Sequence, residues 1–199
     1  MNSYLFFDTE TTGLPQNYKA PVTDFANWPR LVQLAFIVAN EHAEIEAEGN
    51  WIIKPEGFII PEKAASIHGI TTERAMTEGC DLRAALVNFA KIMSRMALTS
   101  NNVLVVGHNI AFDEKIVGCE YLRCGLENWL PKAHRFCTMQ ASTDFCQLQG
   151  MYGYKWPKLQ ELHRKLFNDD FAEAHNAAAD IQATVRCFFE LKRLEIIDV

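Results

Sequence analysis

The sequence predicts an α/β layer architecture, in which a mixed sheet of five strands is flanked by helices. Three observations carry that reading. Short apolar runs are bounded by turn residues, segments with apolar residues at helical spacing follow several of them, and the order of elements passes from strand–strand neighbours to strand–helix alternation. A chain of 199 residues can bury a full core, and no Gly/Ser-rich or Pro-rich stretch divides it, so residues 1–199 read as a single domain.

Tyr4-Leu5-Phe6-Phe7 is a short apolar run, expected to be a central strand that delivers Asp8 to its end. Leu31 to Ala39 and Trp51 to Lys54 read as two further strands. They are expected to be antiparallel neighbours, because the segment between them is too short to hold a crossover helix. Asp81 to Met96 carries Leu82, Ala85, Leu86, Phe89, Ile92, Met93 and Met96 at helical spacing, the pattern of an amphipathic helix on one sheet face. Val103-Leu104-Val105-Val106 is apolar on both faces, as in a strand covered on two sides, and Gly107-His108-Asn109 ends it before a helix through Cys119. A fifth strand near Arg135 to Thr138 and helices near Lys158 to Phe167 and Ala177 to Leu194 complete the layers. Two segments stand outside this scheme. Pro15 to Arg30, with three prolines, exceeds the usual connection of about 4–6 residues. MYGYKWPK at 151–158 alternates aromatics with lysines, either as a stacking platform for a single strand or as ordinary core and rim residues.

Composition removes several function classes. The longest apolar run, Leu34 to Ala39, is far too short to span a bilayer, and the N-terminus lacks a secretion signal, so no membrane association and a cytoplasmic location are expected. The six cysteines are expected to be free thiols, and His134, Cys137 and Cys146 lack a fourth ligand for zinc. With 19 basic and 25 acidic residues, the net charge of −6 argues against a broad duplex-binding surface. Two bound divalent ions would bring that charge to about −2, compatible with gripping a few terminal nucleotides.

Four carboxylates and a histidine recur in three short segments: FFDTETTGL with Asp8 and Glu10, HNIAFDEKI with Asp113, and HNAAAD with His175 and Asp180. Clustered negative charge is costly to a folded protein unless cations neutralise it. Asp8 and Glu10 lie two apart, so both project from one face of an extended chain and can share a Mg²⁺, which takes one or two carboxylates and keeps several waters. His175 and Asp180, five apart, would point about 140° from each other within one helix. They converge if Asn176 is the helix N-cap and His175 lies on the preceding loop; the alanines at 177, 178 and 179 then let the helix end approach the strand end closely. Asp113 falls near the start of the helix after the second central strand, at the carboxyl edge that also carries Asp8. Each segment has a bland alternative: a charged turn, a dipole-complementing aspartate and an exposed loop histidine.

Together these segments resemble the DEDD exonucleases, in the branch whose general base is histidine, typified by bacterial polymerase proofreading exonucleases. DTETTGL at 8–14, HNIAFD at 108–113 and the His175/Asp180 spacing reproduce the family's three motifs in order, and Asn at position 176 excludes the tyrosine branch. The resemblance implies a ribonuclease-H-like fold and removal of nucleoside monophosphates from nucleic-acid 3′ ends, with two Mg²⁺ or Mn²⁺ ions. It implies that Asp8, Glu10 and Asp180 ligate the first ion, that Asp8 bridges to the second, and that Asp113 holds the second through water. His175, with an ordinary pKa near 6.5, would accept the proton of the attacking water.

By the same resemblance Glu10 and the main chain around Thr9 and Thr11 meet the terminal ribose, Leu14 wedges beside the last base and Phe112 packs near the nucleotide. His108 and Asn109, which open the second motif, complete the substrate-binding set, and His68 in SIHGIT at 66–71 lines the base pocket unless that segment is merely a capped turn. Single-stranded DNA is the expected substrate. An RNA or oligoribonucleotide substrate, and a non-catalytic binding module on the same fold, are the alternatives. The few residues after Leu194 leave no room for a polymerase-binding tail, so a free-standing enzyme is expected.

Overall fold

A computed structural model describes residues 2–171 and 176–199. Five strands, β1 (Asn2–Thr11), β2 (Leu31–Asn40), β3 (Ile45–Ile52), β4 (Asn102–Gly107) and β5 (His134–Cys137), form one sheet in the order β3-β2-β1-β4-β5. β1 pairs antiparallel with β2 and parallel with β4, while β2–β3 is antiparallel and β4–β5 parallel, so the sheet is mixed, as the element order predicts. β1 is central and apolar toward both layers. Tyr4 and Phe6 face one side, where their rings lie 5.0 and 5.3 Å from Phe188 of helix α8 (Ala177–Arg193). Phe7 faces the other, where its ring lies 5.4 Å from Phe89 of α3 (Leu82–Thr99), beside α4 (Ile110–Arg123). The period-two alternation of a strand therefore sorts the β1 side chains between two helical layers.

The elements between are α1 (Glu62–His68) and α2 (Thr72–Glu78), then α5 (Thr138–Ala141), α6 (Thr143–Cys146), the two-residue strands β6 (Gln149–Gly150) and β7 (Gly153–Tyr154), and α7 (Leu159–Phe167). β3 starts six residues before the expected Trp51, because Ile45 to Asn50 is an exposed edge in which Glu46 and Glu48 replace an apolar alternation. Charges of that kind protect an unpaired strand edge. α1 and α2 leave no clear helical stripe in the sequence: each is seven residues long and contributes mainly alanines, Ala64, Ala65 and Ala75, to a small cluster with Val32, Ile60 and Ile70. Gly69, at φ 74°, ends α1 in a left-handed turn that glycine adopts without strain. Asp81 caps α3, its carboxylate accepting from Ala84 N at 2.7 Å, and all six cysteines are free. Among the described residues no helix is long and apolar enough to cross a membrane.

Candidate active site

Alternation along β1 decides which groups meet. Positions 8 and 10 share the face of Tyr4 and Phe6, so Asp8 and Glu10 emerge at the end of β1 toward α8. Asn176 caps that helix, its side chain accepting from Ala178 N at 3.0 Å, and Ala177 is wholly buried, which lets the helix end close on the strand. Asp180 sits in the first turn. Carboxylate oxygens of Asp8, Glu10 and Asp180 all lie within 4.8 Å of one another.

Position 9 faces the opposite layer. The Thr9 amide and hydroxyl both donate to Asp113 Oδ1, at 3.0 and 2.6 Å, and Asp113 is buried in the first turn of α4. Because β4 runs parallel to β1, α4 starts beside the end of β1, and the fourth carboxylate arrives from below. The Thr9 N–H, part of the main chain around Thr9 and Thr11 expected to meet a ribose, is bonded to Asp113, as a buried carboxylate needs donors.

The crowding is electrostatically expensive. Burial, followed by Asp113, Asp180 and Glu10, holds the Asp8 carboxyl well above the usual range. Burial and then Asp180 and Asp113 push Glu10 up to about 8. Burial raises Asp113 to about 7 against the pull of the two Thr9 hydrogen bonds. A set of oxygen ligands this close, and this reluctant to ionise without a counter-charge, fits a hard divalent cation. Among the described residues it is the one such group that could hold a metal, and His134, Cys137 and Cys146 form none.

Around the carboxylates is a cleft of about 630 Å³ whose lining includes His108, Asn109, Lys158 and Gln160. His108 is a fastener. Its Nε2 lies 2.9 Å from the Pro157 carbonyl, an acceptor only, so Nε2 carries the proton and Nδ1 accepts from Thr138 Oγ1 at 3.0 Å. Burial lowers its pKa to about 4, so the ring stays neutral, and both ring nitrogens of this expected substrate-binding residue are bonded within the protein. Asn109 initiates α4 in a left-handed conformation, φ 73°, with no side-chain cap bond. Thr11 Oγ1 donates to the Gly13 carbonyl at 2.6 Å, shaping the turn before Leu14, whose side chain is exposed. His68 is buried and accepts from Ile70 N at 3.1 Å through Nδ1; burial lowers its pKa against the opposing contact to the Thr11 main chain. Phe112 is half-buried on α4. His175 lies outside the described residues. Lys158 and Gln160 escaped the sequence reading as site residues, the only signal being the run of lysines and aromatics that ends at Lys158.

The sequence matches the RNase T family, described as exonuclease, over residues 5–188. The chain belongs to this exonuclease family. Members hydrolyse nucleic acid with divalent cations, and an acidic cluster able to hold such an ion is present here. Solved structures similar to this exonuclease chain include E. coli exonuclease I with a dA16 oligonucleotide (21% identity, TM-score 0.72, 97% of this chain and 41% of that one). Another is E. coli exonuclease I with a dT13 oligonucleotide (21% identity, TM-score 0.72, 98% and 43%), and a third is a product-bound exonuclease I (18% identity, TM-score 0.70, 98% and 45%). At these identities they show the fold, the ribonuclease-H-like exonuclease architecture. The chain spans about two fifths of the length of the exonuclease I chains it matches. No curated protein sequence matches it.

Proposed function

We propose that residues 1–199 act as one domain of the histidine branch, removing nucleoside 5′-monophosphates stepwise from the 3′ ends of single-stranded DNA with Mg²⁺ or Mn²⁺. The observation that carries this reading is the meeting of Asp8, Glu10 and Asp180 within 4.8 Å at one rim of the sheet, with Asp113 tied to the same strand end through Thr9. Exonuclease membership supplies the reaction class.

Asp8, Glu10 and Asp180 would hold the cations, with Asp113 beside them. When bound, such a pair acidifies the attacking water and offsets charge on the phosphodiester. His175, five residues before Asp180 and just ahead of the Asn176 cap, accepts the proton of that water, and the bond from phosphorus to the upstream 3′ oxygen breaks. Thr9 keeps Asp113 oriented by donating twice to its Oδ1. Leu14 at the rim separates the last base from its neighbour, and Phe112, His68, Thr11 and Asn109 bound the terminal nucleotide, so that cleavage proceeds from an end.

The test compares end-labelled single-stranded DNA, duplex DNA and RNA of matched sequence, each with Mg²⁺, Mn²⁺ or EDTA. Monophosphate release from the 3′ end, fastest on single-stranded DNA and abolished by EDTA, is the expected result. Release from the 5′ end removes the polarity, faster loss of RNA reassigns the substrate, and no release with either cation ends the proposal.

A further inference from the structure

The cleft continues past the carboxylates. Asn109 lines both the cavity at Asp8 and Asp180 and a second one of about 470 Å³, whose walls include Tyr18 from the 15–30 connection, Phe112 and Lys115 from α4, Gln140 from α5 and Trp156 from the segment after β7. Tyr18 and Trp156 are 51% and 61% exposed, unusual for such large rings, and here both border one cavity. The Tyr18 ring stands 6.4 Å from that of Phe112. Lys115 donates to the Tyr18 carbonyl and lies 5.2 Å from the Trp28 ring, which holds its ammonium at the wall with donors to spare.

The connection that carries Tyr18 is fastened to α4. Arg123 donates to the carbonyls of Phe25 and Trp28, both at 2.7 Å, and Arg30 and Arg123 each meet the buried Glu120 at 2.8 Å. Thr12 and Arg30 close its two ends on each other through two hydrogen bonds. The rings are thus presented on a framework already ordered, which spares a ligand that entropic cost.

We propose that this second cavity is a subsite for the nucleotides 5′ to the one being removed: an unpaired strand stacks its bases on Tyr18 and Trp156 while Lys115 meets its phosphate. The proposal rests on reading the adjoining carboxylates as an exonuclease centre. Continuity with that centre through Asn109 names the occupant, since a strand whose end lies at Asp8 must leave the cleft along some wall, and this wall offers aromatic faces beside a cation. Stacking on rings suits any base and needs bases free of a partner strand. With a net charge of −6, a short local grip of this kind takes the place of a broad basic track.

The test uses two kinds of substrate: the p-nitrophenyl ester of thymidine 5′-monophosphate, which fills the terminal position with no upstream nucleotide, and oligothymidylates of two, three and five nucleotides. For the unaltered protein, kcat/KM is expected to rise about tenfold or more with oligonucleotide length. Trp156→Ala, Tyr18→Ala and Lys115→Gln each lower the ratio of kcat/KM on the pentanucleotide to that on the ester by about fivefold or more, the scale of one lost stack. Trp156→Phe restores most of the ratio. Tyr152→Ala, in the turn of the preceding β6–β7 hairpin and outside the cavity, retains it. A length-independent kcat/KM, or variant ratios equal to that of the unaltered protein, overturns the subsite while the exonuclease reading stands. Failure of the unaltered protein on the ester and on all oligonucleotides overturns the exonuclease reading itself.

Discussion

At the scale of single residues, the site is an arrangement of carboxylates held against their mutual repulsion, and its pH response follows. In the metal-free fold Glu10 keeps a proton up to about pH 8, whereas an unfolded chain releases it near its ordinary value of 4.5. Between those limits the folded state binds more protons than the unfolded one, so stability falls as pH rises. Melts in EDTA are expected to drop by several degrees from pH 5 to 8, at about 2–4 °C per kcal/mol, and Mg²⁺ or the Glu10→Gln substitution flattens the decline. A metal-free melting temperature that holds steady or climbs across that range contradicts the electrostatic account. Asp8→Ala should lose activity that added Mg²⁺ does not return, and full rescue by metal would make Asp8 peripheral. His175→Ala should lower turnover about 10²-fold or more with little change in oligonucleotide affinity; equal losses in both remove its role as base. The Asp8/Glu10 pair was legible from its spacing, because parity on a strand is a local property. The bonds from Thr9 to Asp113 span 104 residues and were not, and neither were the two partners that occupy the His108 ring.

At the scale of elements, α8 is the part that completes the ligand set. Its first residues combine a side-chain cap from Asn176 with the fully buried methyl of Ala177, so the helix start is placed by packing as well as by hydrogen bonding. Ala177→Leu is expected to cost about 1–3 kcal/mol through overpacking and to push Asp180 off Asp8 and Glu10. Loss of divalent-cation affinity measured by calorimetry, with most of the helical signal retained, is the readout; unchanged affinity would show that the helix start tolerates displacement. The helices that the sequence revealed, α3, α4, α7 and α8, carry amphipathic stripes, caps or turn residues that mark their start. Those it missed, α1, α2, α5 and α6, are four to seven residues long, too short for periodicity to distinguish them from turns. β3 escaped in part for the opposite reason, since an exposed edge has no buried face to pattern.

For the molecule as a whole, two layers close on one sheet and a long connection is lashed across one of them. Glu120 is the knot: wholly buried, it accepts from Arg30, from Arg123 and from the Leu31 amide at 3.1 Å. Arg123→Ala leaves that charge with half its compensation and releases three carbonyls of the connection, those of Phe25, Trp28 and Pro29, so a loss of about 3 kcal/mol is expected in chemical denaturation. A change below about 0.5 kcal/mol would mean that the connection is held by Trp28 and its proline neighbours alone. The sequence foretold five strands and their mixed directions, because hairpin and crossover lengths restrict the topology. It flagged 15–30 as too long for a plain link, but Arg123 and its distant carbonyls are brought together only by the finished fold.

The alternation of β1 has one more effect, on how such a protein can change over generations. Aromatic anchors and acidic ligands ride the same two-residue rhythm, so inserting or deleting a single codon before position 8 would swap the destinations of both groups at once. No intermediate keeps the hydrophobic interior while sacrificing chemistry, or the reverse. That strand is open to substitution but closed to changes of length, and variation in size is confined to places such as the 41–44 turn, where β2 hands over to the solvent-facing edge.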